Sequence, residues 1–244
     1  MWPSYLSKLK RGPQVVLPKD LGMIIAFAGI SKESFVLDAG AGSGWMAVGL
    51  GRVAGRVVSY EVREDFLKLA ANNVVRVGLT NVEVRQRDIL ALGFDEKEAD
   101  VVCLDMADSD KAVPAAAAAL KEGGVLVGYA PQTEQLSAFV SAGLANGIGD
   151  WFCCESLLRP ILVRPSGVRP ANVMISHTGF LAFGRKGAPT DGGQSGQKQK
   201  RFKELMAPLS GPRPEKMKKK QPGEIIEKKP EDENEKKTED ASTE

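Results

Sequence analysis

Along the first three quarters of the chain, short apolar runs alternate with stretches of helical spacing. Residues 36–38 end an apolar strand, and 44–53 read as a helix. Residues 56–60 form a β-rich run, and 64–77 carry apolar positions at the helical period. Brief strands follow at 82–84 and 100–104, then an alanine-rich helix at 111–120, a strand at 124–129 and a helix at 134–146. Strands alternating with helices imply right-handed βαβ crossovers and a parallel sheet. The pattern changes at the end. Residues 151–158 and 177–185 have no helix between them and read as a closing antiparallel pair.

Composition then divides the chain. The N-terminal dodecamer MWPSYLSKLKRG lacks the apolar core of a signal peptide, and no stretch is apolar enough to span a membrane. After Lys186 the sequence turns rich in Gly, Gln and Ser, then in Lys, Glu, Asp and Pro, with no aromatic beyond Phe202. Such a segment buries too little apolar surface to offset its ordering entropy. The expected organisation is a lead-in segment and helix over 1–30, an α/β domain over 31–186, and a charged, disordered tail over 187–244, with a short helix allowed near 200–206. Cys103, Cys153 and Cys154 lack C-x-x-C spacing and read as buried, reduced thiols of a cytoplasmic protein. One histidine, His177, leaves little material for a metal site or a Ser–His relay, and it reads as a structural hydrogen-bonding residue.

The chemistry concentrates in VLDAGAGSG, residues 36–44, where a strand runs into Asp38 and then Gly40, Gly42 and Gly44. Glycines let a ligand approach the backbone closely. A carboxylate before the first glycine repels a diphosphate but suits the cationic methionine end of S-adenosylmethionine. Glu61, about twenty residues past the loop, stands where an acid can accept both ribose hydroxyls. Asp88, after the third strand, can accept from the adenine amino group. All three acids fall at the carboxyl ends of successive strands, where open parallel sheets hold their ligands.

The chain also resembles the tRNA (adenine-N1)-methyltransferases that modify a T-arm adenosine, the archaeal form in particular. The resemblance covers about residues 10–186 and is carried by RGPQVVLPKD (11–20), SYEVREDFLKLAANNV (59–74), ESLLRPILVRPSGVRP (155–170) and MISHTGFLAFGRK (174–186). It implies a Rossmann-like class I methyltransferase fold: an α/β domain whose mostly parallel seven-stranded sheet ends in an antiparallel hairpin. It implies S-adenosyl-L-methionine as cofactor, with Gln14, Ser43, Gly44, Trp45, Met46, Glu61, Phe66 and Asp88 lining it, and Asp105 facing the target adenine. It further implies tRNA as partner and a homo-oligomer, a tetramer built partly from the closing strands. Three departures stand out. Leu17 replaces the family's tyrosine, and the motif Asp-x-Pro-x-Pro-Trp reads Asp105-Met-Ala-Asp-Ser-Asp110. Only ten residues stand where characterised members carry a small β-rich domain.

Adenine N1 offers an in-plane lone pair, so its methylation needs no strong base. Positive charge leaves the sulfonium and appears on the purine, where a fixed carboxylate stabilises it. Asp105 is the candidate for that role; its alternative reading is a strand-end cap of the next helix. Arg159, Arg164 and Arg169 read either as phosphate contacts or as a solvated loop that positions neighbouring subunits, and Lys216–Lys220 as a salt-sensitive RNA contact or a solvated run. The expected function is methyl transfer to N1 of a tRNA adenosine. The alternatives are a same-fold enzyme acting on another RNA or a small molecule, and a non-catalytic tRNA-binding subunit.

Overall fold

The computed structural model describes residues 4–12 and 14–190. The expected disorder and helix of the tail lie outside those residues. Seven strands form one sheet in the order β3-β2-β1-β4-β5-β9-β6. They are β1 Phe35–Ala39, β2 Arg56–Glu61, β3 Val82–Gln86, β4 Ala99–Leu104, β5 Leu120–Ala130, β6 Ile148–Glu155 and β9 Phe180–Lys186. The first five pair in parallel, and β9 runs antiparallel between β5 and β6. The parallel units and the closing antiparallel pair thus stand as the sequence pattern implies. β6 starts at Ile148, three residues ahead of the expected position, because α6 (Thr133–Ala145) gives way to Gly147 at φ 75° and Ile148 is fully buried.

Neighbouring residues on each strand point to opposite faces, and both faces are covered. Leu37, Val58, Val102, Leu104 and Leu126 pack with Ala112 and Ala116 of α5 (Ser109–Ala119) and Phe139 of α6. On the other face Val36, Val57, Val101 and Val127 meet Leu21 and Ile24 of α1 (Pro18–Ala28) and Met46 and Leu50 of α2 (Trp45–Gly51). α3 (Glu64–Arg76) flanks β2 and β3.

Pro18 at its first turn and Gly29 in the left-handed region delimit α1. Its Asp20 is fully buried yet completely paired. It meets Lys19 Nζ at 2.7 Å and accepts from Ser156 Oγ at 2.6 Å and Thr178 Oγ1 at 2.8 Å. This cluster ties the start of α1 to the residues just past β6 and just before β9. The lead-in helix is therefore packed on the same sheet as the rest of the domain.

A hairpin and a single helical turn escape the sequence pattern. Residues read as a Pro-rich basic loop form a separate hairpin, β7 (Ile161–Arg164) with β8 (Gly167–Pro170), turning at Pro165-Ser166. A single turn of helix, α4 (Ile89–Leu92), follows β3. Four residues are too few to register as a helical period.

Candidate active site

The carboxyl ends of β1, β2 and β4 open into a cleft of about 610 Å³. Its floor is the glycine loop. Gly40 adopts φ 90°, and a Cβ there would sit 2.0 Å from the Asp105 carbonyl oxygen. Only glycine lets the loop pass this close to β4. Gly40 and Ala41 both donate to the Tyr60 carbonyl, at 3.0 Å each, and Asp105 N donates to the Ala39 carbonyl at 3.0 Å. The loop is thereby stitched to both neighbouring strands.

Of the residues singled out in the sequence, Gln14, Gly40, Gly42, Glu61, Phe66, Asp88 and Asp105 line this cleft together. Glu61 ends β2 with its carboxylate nearly buried. Oε2 accepts from Gly42 N at 2.8 Å, and Oε1 accepts from Val62 N and Arg63 N at 3.1 Å each. The acid at the expected ribose position therefore also holds the glycine loop. Asp88 caps α4 through Oδ1, accepting from Leu90 N at 2.9 Å and Ala91 N at 3.3 Å, and remains exposed at the cleft wall. Asp105 does not cap α5; that position belongs to Asp108, whose side chain makes no capping bond.

Asp38, Ser43, Gly44, Trp45 and Met46 do not line the cleft. Met46, on α2, is buried in the core, and Trp45 reaches back to the Lys10 carbonyl at 3.4 Å. Gly44 takes φ 77° at the start of α2. Asp38 lies fully buried one residue below the cleft floor, where Oδ2 accepts from Ser59 Oγ at 2.5 Å. Its other oxygen, Oδ1, has no hydrogen-bond partner, and neither has the buried Ser43 Oγ. Residues not singled out beforehand complete the lining, among them Arg63, Arg87, Met106 and Asp108. The Arg63 guanidinium lies 3.8 Å over the Phe66 ring. Charge and aromatic character were visible at both positions, but nothing in the spacing placed Arg63 over Phe66.

Burial raises Asp38 to about 7, with the nearby Glu61 adding to the shift, and burial next to Asp38 raises Asp105 to about 7. The same surroundings push the Cys103 thiol well up. Two under-solvated acids and an orphaned carboxylate oxygen are a charge arrangement that a cation relieves. The donor set therefore fits the positive methionine end of S-adenosylmethionine.

Linkage fixes the sign. Both carboxyls are raised above their unfolded values, so their contribution to stability is full near pH 4 and is lost as pH rises through about 7. A bound cation favours the ionised acids. Cofactor affinity should accordingly increase between about pH 5.5 and 7.5, with proton release on binding. Calorimetry in buffers of differing protonation heat checks this; a buffer-independent heat and a flat affinity would contradict it.

At the far edge, His177 Nδ1 meets Glu155 Oε1 at 2.6 Å and Nε2 meets the Pro131 carbonyl at 2.9 Å. Two acceptors require both ring nitrogens to donate, so the bond to Glu155 and then that to Pro131 raise the imidazole. The histidine clamps three strand ends and has the structural part read from the sequence.

Strand order, glycine loop and acids at the strand ends define a class I S-adenosylmethionine-dependent methyltransferase fold. Within that class, residues 2–166 match the family described as tRNA methyltransferase complex GCD14 subunit, and the chain belongs to it. It is 34% identical over 210 residues to the tRNA (adenine(57)-N(1)/adenine(58)-N(1))-methyltransferase TrmI of Methanocaldococcus jannaschii, covering 74% of each chain. It is 31% identical to the tRNA (adenine(58)-N(1))-methyltransferase TrmI of Thermus thermophilus, over 75% of this chain and 73% of that one. Among solved structures, TrmI of Aquifex aeolicus superposes with a TM-score of 0.69 at 27% identity, over 75% of this chain and 74% of that one. An S-adenosylmethionine-dependent O-methyltransferase of Thermotoga maritima gives 0.72 at 34%, over 77% and 72%. No helix among the described residues is long and apolar enough to cross a membrane.

Proposed function

We propose that this protein methylates N1 of an adenosine in tRNA, with S-adenosyl-L-methionine as donor, in the cytoplasm. The observation that carries the reading is the cleft itself: Glu61, Asp88 and Asp105 converge on it from three strand ends. Bound there, the cofactor supplies an electrophilic methyl on a positive sulfur. Glu61 holds the ribose, and Asp88, whose cap uses one oxygen, accepts from the cofactor adenine with the other. Asp38, beneath the loop, and Ser43, buried within it, act on the methionine end from behind the cleft floor, while Gly44, Trp45 and Met46 form the loop's exit into α2. Phe66 and Gln14 wall the adenosine end. Asp105 lies past the methyl group, accepts from the target adenine's amino group and offsets the charge that grows on the ring.

Calorimetry with S-adenosylmethionine tests the cofactor half of this reading and separates an enzyme from a non-catalytic subunit. A label-transfer panel of unmodified tRNA, other RNA and small hydroxylated acceptors tests the other half. Transfer confined to tRNA is expected. A second reading, the same fold acting on another acceptor, draws on Ala107, which lines the cleft where the family carries a proline. Label entering the small acceptors alone would favour it.

The methyltransferase domain is proposed to begin at residue 31, with α1 as a lead-in helix docked on its sheet. A second copy of this chain is proposed to cover the β7–β8 arm. Val163 and Val168, paired across the hairpin, are 77% and 67% exposed, and Leu158 and Ile175, bridged to each other, are exposed as well. Apolar patches of this kind mark interfaces. Light scattering should give a multiple of the chain mass, and Val163→Asp with Val168→Asp should shift it to smaller species. A single-chain mass for the unaltered protein would contradict the assembly.

A further inference from the structure

Residues 4–12 and 14–17 form a strap that packs on α2 and α3 and leads to the cleft. Leu6 and Leu9 are buried against Val48 and Val74. Farther on, the strap passes so close to the loop that a Cβ on Gly12 would lie 3.2 Å from both Phe66 Cε1 and Ser43 Cβ. Gln14 then reaches the cleft wall.

One fully buried side chain, on α3, fastens this strap. Asn73 Oδ1 accepts from Lys10 N at 2.9 Å, and Asn73 Nδ2 donates to the Lys10 carbonyl at 2.8 Å. The same nitrogen donates to the Ser43 carbonyl at 2.8 Å. The carboxamide pairs with both backbone groups of one strap residue, as a strand would, and spends its remaining hydrogen on the glycine loop. Helix, loop and strap meet at this amide.

We propose that Asn73 is a positioning residue for the cofactor, holding the strap against the glycine loop so that Gln14 and Phe66 complete the cleft. The inference rests on the reading of the cleft as an S-adenosyl site. No atom of Asn73 touches the cleft. It acts through the Ser43 carbonyl on one side and the Lys10 backbone on the other. The strap wall and the cofactor then stabilise one another: cofactor bound against Gln14 and Phe66 keeps the strap down, and a loosened strap binds cofactor less well.

Asn73→Asp preserves size and the acceptor for Lys10 N, but sets an oxygen against two carbonyls. In the full-length protein it should weaken S-adenosylhomocysteine binding by about tenfold or more, by calorimetry. In methyl transfer the loss should fall on the cofactor KM rather than on kcat. A second readout concerns Lys8, Lys10 and Arg11, exposed trypsin sites on the strap. Saturating S-adenosylhomocysteine should slow cleavage there in the unaltered protein, and cleavage should speed up in Asn73→Asp. A residue serving stability alone would leave strap cleavage insensitive to ligand. Gly12→Val loosens the same contact from the strap side without disturbing the buried amide, and it decides the matter if Asn73→Asp does not fold. Folded variants that bind with unaltered affinity, or strap cleavage unaffected by ligand in a protein that binds it, would overturn the inference. An unaltered protein that binds no S-adenosylhomocysteine would instead bring down the reading of the cleft, and this inference with it.

Discussion

Replacing Asp105 with asparagine is expected to slow methyl transfer by about 10²–10³-fold, the usual loss for one preorganised electrostatic partner. Asparagine keeps the shape and one acceptor oxygen but not the negative charge. The Asp105 backbone is fixed by the Ala39 carbonyl and by the close pass of Gly40, which limits how far the proposed charge partner can shift. Its position near Asp38 sets a second signature. Because burial first, and Asp38 next, raise Asp105 to about 7, kcat/KM should climb with pH through that value as the carboxyl ionises. Asp105→Asn should flatten that limb while lowering cofactor affinity far less than rate. Steady-state kcat/KM for the cofactor across pH, together with calorimetry of cofactor binding, measures both effects. Equal rates for the two proteins would remove Asp105 from the chemistry.

Glu61→Ala should weaken S-adenosylmethionine binding by about 1.5–3 kcal/mol, roughly 10- to 150-fold, the range for hydrogen bonds to a charged group. Two losses combine. The ribose loses its proposed acceptor, and Gly42 N, Val62 N and Arg63 N lose the carboxylate that holds them. The glycine loop should then be less ordered, so calorimetry ought to show a larger entropic penalty along with weaker binding. Unchanged affinity would end the assignment of Glu61 to the ribose.

Much of this architecture was legible because each signal was local. A strand buried on both faces reads as an apolar run, and Asp38, Glu61 and Asp88 stand at strand ends in the sequence as they do in the fold. What escaped depended on distance along the chain. The pairing of Asp20 with Ser156 and Thr178 joins residues more than a hundred positions apart, and no periodicity reports such a bond. The clip by Asn73 on Lys10 likewise spans 63 positions. The hairpin β7–β8 was hidden by its prolines, which suggested a loop. Pro165 sits in the turn and Pro170 at the strand end, both places a two-stranded edge tolerates. Resemblance carried Ser43, Trp45 and Met46 into the cofactor set. None of the three lines the cleft: Ser43 Oγ is buried in the loop without a partner, Trp45 bonds the Lys10 carbonyl and Met46 packs in the core.

One measurement bears most directly on the central claim. Unmodified tRNA transcript is mixed with excess purified protein prebound to methyl-labelled S-adenosylmethionine, allowed a single turnover, and digested to nucleosides. The account predicts that the label appears in 1-methyladenosine. Label in another nucleoside, or none in tRNA despite tight cofactor binding, would contradict it.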